Sequence, residues 1–475
     1  MNILIISTNR SSLPVPVMPI GACMVAEAAE RAGHNVKVLD LIFERDPLRT
    51  LEFELTRTSP DIVGLSIRNI DNNDMQTPVA FFKDLIPLVD IIHRMSQATV
   101  VLGGSAVNLM PEELLFYTGA DWAVLGDGEV FFPKLLEKLL SGETPEHIPG
   151  IAWIEDNDFR KNSCPSSRIS NGCLTPDFHR WIDVHAYKLR LSTVPIQTKL
   201  GCHFKCVYCT YRKIEGDNYR LFDSESVVET VKRFISQGLL DFEFVDNVFN
   251  SPYEHAMSIC EGLARIGHGI RLQSLMLNPL FIDDDLITAM EQAGFTGIGI
   301  TAESASDNVL KGLRKGFTAE DVCKAAHVIK HHKLPCLWLF MLGGPGETKA
   351  TVKETLRFAE SFIRPIDVAF FNIGIRVYPG TELESIARKQ GLLSLSSREM
   401  LEPVFYVSPE IEFDWLIKKT RNSVNTHMNF INSNSISLPF LPTINRLGYR
   451  LGIRPPLWRH TRFVRRGLRV LGIDS

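Results

Sequence analysis

The chain has 475 residues, 45% of them hydrophobic and 22% charged, with a net charge of −4; it is long enough for two or three domains with cores of their own and too apolar to be disordered. No run approaches the roughly eighteen uninterrupted apolar residues of a membrane-spanning helix. Nine cysteines, an odd number with three in one cluster, do not make a secreted disulfide framework.

The opening "MNILIISTNRSS" lacks a basic leader and a cleavage site, so it reads as a strand and the expected location is the cytoplasm. A helix around Ala22 to Ala32, then "VKVLDL", "IVGLSI", a long helix from about Pro78 to Ser96, "TVVLGG", "WAVLGDGE" and a helix through Leu139 continue the pattern. This alternation predicts a doubly wound, Rossmann-like α/β domain over residues 1–140. Ligands of such sheets sit outside the carboxyl ends of the strands, which here are residues 7–21, 68–74, 103–110 and 126–129.

Residues 141–193, rich in Pro, Ser, Asn and Asp, read as a linker with some strand. A second βα series follows, with "VPIQTK", "DFEFVDN", "IRLQSLM", "GIGITAE", "PCLWLFMLGG" and "VAFFNIGIRV" as strands and helical stretches near 224–236, 254–266, 283–293, 306–314 and 349–363. Six units predict a partial (β/α)6 barrel of the TIM type over 194–395, with function at the strand C-terminal ends. Residues 396–475 are expected to form a helical extension, covering the barrel mouth up to about 440 and ending in a basic tail.

Just after the first barrel strand stands "GCHFKCVYC", with Cys202, Cys206 and Cys209 at C-x3-C-x2-C spacing. Zinc would want a fourth Cys or His, usually in a second pair, and His203 directly follows Cys202. A [4Fe-4S] cluster held by three cysteines leaves one iron open to an external ligand. Spacing alone favours the cluster and leaves zinc open. Cys260, Cys323 and Cys336 sit in helical or strand patterns, where core packing is the default.

"CHFKCVYC" on the first βα loop of a partial barrel resembles the radical S-adenosylmethionine (SAM) enzymes. The resemblance implies a [4Fe-4S] cluster on Cys202, Cys206 and Cys209 whose open iron chelates SAM, with Tyr208 near the adenine. Downstream, "FVDNVFN", "ITAESASDNVLKGLRKGFT", "GGPGET" and "VYPGTEL" resemble family stretches in the same order. They imply SAM contacts from Asp246, Asn247, Asn250, Glu303, Ser304, Gly343 and Gly344.

The first domain resembles the cobalamin-binding domain that precedes the barrel in one radical SAM class, through "PIGACMVAEAAERAGH", "GGSAVNLMPEE" and "LGDGEVFFPKLL". Cobalamin contacts are implied for Pro19, Gly21, Gly103, Gly104, Ser105, Gly126, Gly128 and Glu129, and at the strand-end loop "SIRNIDNND" for Arg68 and Asn69. The D-x-H-x-x-G motif that supplies a histidine to cobalt in mutase-type domains is absent; His34 and His93 do not fit it, which implies a weakly coordinated or open lower face.

The class resemblance is to the methyltransferases, implying methylation of an unactivated carbon or phosphorus through a 5′-deoxyadenosyl radical and methylcobalamin. Rearrangement, ring contraction or cyclisation with the same cofactors is the alternative, and a non-catalytic cobalamin sensor or Fe–S electron carrier is the reading from another class. A methylthiotransferase is disfavoured, because residues 1–150 contain only Cys23. The implied partners are a small-molecule or lipid-like substrate and an electron donor such as flavodoxin or ferredoxin. From Leu441 onward eight arginines face one acid, Asp474, giving a tail of about +7 on a body of about −11. Arginines interleaved with Leu, Trp, Phe and Val suggest peripheral contact at the inner face of a membrane; no accompanying nucleic-acid-binding fold is present.

Overall fold

The computed structural model describes residues 1–164, 175–267, 269–433 and 440–470. Strands β1 (Asn2–Ser7), β2 (Asn35–Asp40), β3 (Ile62–Ser66), β4 (Thr99–Gly103), β5 (Trp122–Val124), β6 (Ile151–Glu155) and β7 (Asp158–Lys161) form one sheet in the order β2-β1-β3-β4-β5-β6-β7. The first five are parallel, with the 2-1-3-4-5 order whose switch point lies between β1 and β3. Buried on both faces, β1 and β3 are near-continuous apolar runs. Helix α1 (Ile20–Arg31) buries Ala22, Cys23, Ala26 and Ala29, small side chains that let it pack closely against α2 (Gly128–Ser141).

One feature departs from the predicted pattern. The long helix expected from Pro78 begins only at Leu85, after a 3-10 turn over Phe81–Asp84. Pro87 lies in the first turn of that helix, where its missing N–H is tolerated; further inside a longer helix it would break a hydrogen bond. The segment expected as a linker with some strand carries two strands and packs into the fold. Strands β6 and β7 extend the first sheet by antiparallel pairing, and Phe178, Trp181 and Tyr187 are buried in a core shared by both domains. The Tyr187 hydroxyl donates to Asp40 at 2.5 Å.

The second sheet is a curved, all-parallel partial barrel of β8 (Val194–Ile196), β9 (Asp241–Phe244), β10 (Arg271–Leu277), β11 (Phe295–Glu303), β12 (Cys336–Leu342), β13 (Val368–Ile373) and β14 (Phe430–Asn432), ordered as in the chain. Six of these are the predicted strands. The seventh comes from the C-terminal extension, so that region does more than cover the mouth. Ser408 N–H donates to the Gly343 carbonyl at the strand-exit end; α3 (Phe413–Thr426) then packs outside the sheet and returns the chain as β14.

The described part of the tail holds α4 (Leu441–Arg450) and α5 (Thr461–Val470). Between them Pro456 and Trp458 lie against Gly297, close to where β11 begins, and Trp458 packs with Leu337, Val368 and Ile431. The tail thus closes the strand-start end of the barrel, opposite the cysteine loop.

Candidate functional site

The cysteine loop leaves β8 through Thr198 and Lys199 and turns at Gly201, whose φ is +85°. A Cβ at Gly201 would run into the Asn218 carbonyl, so glycine is required where the loop passes its own return strand, Arg220–Leu221 paired antiparallel with Lys199–Leu200. Val207 N–H donates to the Leu313 carbonyl, and Val207 packs in the core with Leu313 and Leu383. These contacts fix the loop and bring Cys202, Cys206 and Cys209 into electrostatic reach of one another.

Burial pushes the Cys209 thiol up to about 12 and raises that of Cys202, while Lys315 opposes both shifts. A cationic environment, or a metal, is what thiolates here require. Among the described residues no three His, Cys, Asp or Glu side chains gather closely enough to hold a single ion. The three thiols suit a cluster, in which each ligates a separate iron, better than mononuclear zinc.

Tyr208, which is half-buried, joins buried Glu303 and Lys315 in a triad: the Tyr208 hydroxyl donates to Glu303 Oε1 at 2.9 Å, and Lys315 Nζ lies 3.1 Å from both. Burial pulls the Lys315 ammonium down, but Glu303 and the nearby thiols more than offset this and its pKa is raised. Glu303 has φ +60°, an unusual conformation for a residue with a side chain, at the exit of β11. Among the expected SAM residues, Asn247 donates to Glu215 at 2.6 Å.

Asp246 and Asn250, also expected near SAM, are buried and bonded within the barrel. Asp246 is buried and accepts from Thr198 N–H, the Thr198 hydroxyl and Lys199 N–H, fastening β8 to β9. Asn250 donates to the Asn278 and Phe281 carbonyls and accepts from Asn278 N–H. Ser304 likewise hydrogen-bonds Thr355 in the core. Gly343 and Gly344 are buried at the exit of β12, where Gly343 has φ +97° and its N–H donates to Glu347.

A cavity lies between the two domains. From the first domain it is lined by Pro19, Gly21, Arg68, Gly103, Gly104, Ser105, Gly126, Gly128 and Glu129, all expected around cobalamin; Asn69 is not on its wall. From the barrel it is lined by Gln197, Leu200, Tyr211, Ile214, Glu215 and Val245. Nothing lies within 4 Å of where a Cβ would stand at Gly21 or Gly103, so main chain forms an unobstructed wall, and no described histidine lines the cavity. That wall fits the face of a flat macrocycle. Burial raises the Glu129 carboxyl.

The loop 68–74 serves two purposes. Arg68 reaches the cavity, whereas Asp71 pairs with Arg376 at 2.7 Å, both buried, and Asn73 accepts from the Tyr378 hydroxyl. A second clamp joins Asp127, on the loop before α2, to Arg220 through bonds of 2.6 and 3.0 Å. Sequence reasoning missed Asp127, Lys199, Glu215 and Lys315; the acid and lysine within the quoted "LGDGE" and "RKG" stretches were the available signals.

The radical SAM superfamily matches residues 196–359 and the B12 binding domain matches residues 6–136. An uncharacterized methyltransferase of Pyrococcus horikoshii is 28% identical over 381 residues, covering 79% of each chain. Tryptophan 2-C-methyltransferase of Streptomyces laurentii is 25% identical, covering 78% of this chain and 72% of the relative. The fold is that of the radical SAM methyltransferase TsrM from Kitasatospora setae, solved with cobalamin and a [4Fe-4S] cluster (TM-score 0.85, 23% identity, 97% of each chain) and with tryptophan and a SAM analogue (TM-score 0.84, 22% identity, 99% of each chain). With a B12-binding domain ahead of a radical SAM barrel, the chain belongs to the cobalamin-dependent radical SAM enzymes of the methyltransferase-like class.

Proposed function

We propose that the enzyme methylates an unactivated carbon, or phosphorus, of a small-molecule or lipid-like biosynthetic intermediate in the reducing cytoplasm, supplied with electrons by a flavodoxin- or ferredoxin-type donor. The observation that carries this reading is that the glycine-walled loops of the first domain and the residues following the cysteine loop, Tyr211, Ile214 and Glu215, line one cavity. Cys202, Cys206 and Cys209 would hold the cluster, Tyr208 and Glu303 would border SAM, and the loops at Gly21, Gly103 and Gly126 would hold the corrin. Bound there, the cluster with SAM supplies hydrogen abstraction and cobalamin supplies the methyl group.

The chain's own residues position and shield. Lys315 balances Glu303 and the thiols. Val17, Met18, Leu200 and Ile214 give the cavity apolar walls that exclude solvent from a reactive centre. Glu215, raised by burial and held by Gly201 N–H and Asn247, is a polar group at the cavity available to orient a substrate. Relatives of known substrate include an enzyme solved with tryptophan, which supports a small molecule of that size class.

The test is anaerobic turnover of cluster-reconstituted protein with cobalamin, SAM and a strong reductant, following S-adenosylhomocysteine and 5′-deoxyadenosine by mass spectrometry. Both products, with methyl transfer to an added candidate substrate, are expected. Deoxyadenosine accompanying a rearranged or cyclised product without S-adenosylhomocysteine would overturn methyl transfer.

A further inference from the structure

The structure sorts the eight tail arginines into two groups. Four donate to main-chain carbonyls: Arg454 to Tyr449 and Ile453, Arg462 to Pro365, Arg465 to Val424, His427 and Phe430, and Arg469 to Asn425. Arg465 and Arg469 thereby close the C-terminal end of α3, where carbonyls lack helical partners. The other four, Arg446, Arg450, Arg459 and Arg466, are exposed and form no ion pair among the described residues.

The exposed arginines stand beside exposed apolar side chains. Val470, Leu451 and Phe463, at 87%, 74% and 72%, are the three most exposed large hydrophobic residues among those described, and Leu447 beside them is also exposed, at 58%. On α4 and its end, Arg446, Leu447, Arg450 and Leu451 recur one turn apart; on α5, Phe463, Arg466 and Val470 recur at helical spacing. The opposite faces are anchored. Leu441, Asn445 and Gly448 of α4 are buried, with Asn445 donating to the Pro14 carbonyl, and Arg465 and Leu468 of α5 are buried beside α3. The apolar and cationic side chains are therefore held outward by a docked scaffold.

We propose that this solvent face of α4 and α5 is a docking surface for an anionic lipid bilayer. Arginines beside Leu, Phe and Val are the composition of an interfacial helix, in which apolar side chains enter the headgroup boundary while guanidinium groups meet lipid phosphates. Residues 441–470 contain no acid, so the patch carries charge of one sign complementary to such a surface. Neither ten-residue helix can cross a membrane. Because the tail lies at the strand-start end, docking leaves the cysteine loop at the barrel's far end. Membrane contact is therefore separable from the reaction, and it does not rest on methyl transfer.

The test is co-flotation of the full-length protein with vesicles of phosphatidylcholine alone or with phosphatidylglycerol, at low and high salt. Binding to the anionic vesicles is expected to exceed that to neutral ones by about tenfold and to fall with salt. Arg446→Glu combined with Arg450→Glu and Arg466→Glu should abolish the difference; Leu451→Ser with Phe463→Ser should weaken binding to anionic vesicles. All five positions are exposed, and unchanged melting would verify that the variants fold. No flotation of the wild type, or equal binding to neutral vesicles, would overturn the proposal. So would lipid-independent self-association that the same substitutions remove, which would assign the face to a second copy of the chain.

Discussion

The two halves of the cavity are built on different physics. On the barrel side the cysteine loop is fastened by buried charges: Asp246 holds the ends of β8 and β9, Lys315 bridges Tyr208 and Glu303, and Lys199 is buried against Asp246 at 3.8 Å. On the first-domain side glycine main chain at Gly21, Gly103, Gly104, Gly126 and Gly128 alternates with apolar side chains such as Val17 and Met18. A site that presents thiolates needs fixed charge around it, whereas one that receives a broad ring needs stretches clear of side chains. Damage on the barrel side should accordingly cost stability as well as cofactor, and damage on the other side chiefly affinity.

The largest effect is expected from Cys206→Ala or either companion change. Iron content and visible cluster absorption should be lost while cobalamin still binds; loss of cobalamin too would erase the separation of the two halves. Lys315→Met should follow, since it leaves the Glu303 carboxylate buried without its cation. Breaking such a pair costs about 3–5 kcal/mol, readable as a fall in the urea midpoint.

Glu347 extends the contrast to the "GGPGET" loop. It is buried, and burial pushes its carboxyl up to about 7 despite hydrogen bonds from Thr351 and Gly343. A raised folded-state pKa means the folded protein holds the proton more tightly, so stability present below the usual carboxylate range, about 4.5, is lost as pH rises through about 7. The ceiling is about 3 kcal/mol, and Glu347→Gln should flatten this part of the profile in denaturant titrations at several pH values.

The glycines separate the two kinds of cost. A Cβ at Gly104, where φ is +101°, would stand 2.5 Å from the Ile67 carbonyl oxygen. Gly104→Ala should destabilise by about 1–3 kcal/mol and weaken cobalamin binding. At Gly21 nothing lies within 4 Å, so Gly21→Ala should leave the melting temperature unchanged and lower only the cobalamin affinity, measured by titration of the corrin absorption.

What was legible in the sequence followed chain-local pattern. The apolar runs at 2–7, 62–66 and 336–342 and the C-x3-C-x2-C spacing identified both sheets and the cysteine loop. The helix over Ala319–His331 reads in the sequence only as a helical pattern around Cys323, outside the barrel series, although Val322, Ala325, Ala326 and Ile329 stand at helical spacing behind a Thr318–Asp321 capping box. What could not be read was pairing across distance. Asp246 and Asn250 occupy a stretch that resembles a SAM motif, and nothing in that stretch announces their hydrogen bonds with Thr198 and Asn278. The Asp71–Arg376 clamp joins residues far apart in the chain, so neither strand pattern nor local composition announces it.

The proposal that cluster and corrin would share one site is tested by electron paramagnetic resonance of the holoenzyme with cobalt in its paramagnetic Co(II) state. The Co(II) signal should be broadened and relax faster when the cluster is reduced than when it is oxidised. An identical signal in both states, at full occupancy of cluster and cobalamin, would contradict the account.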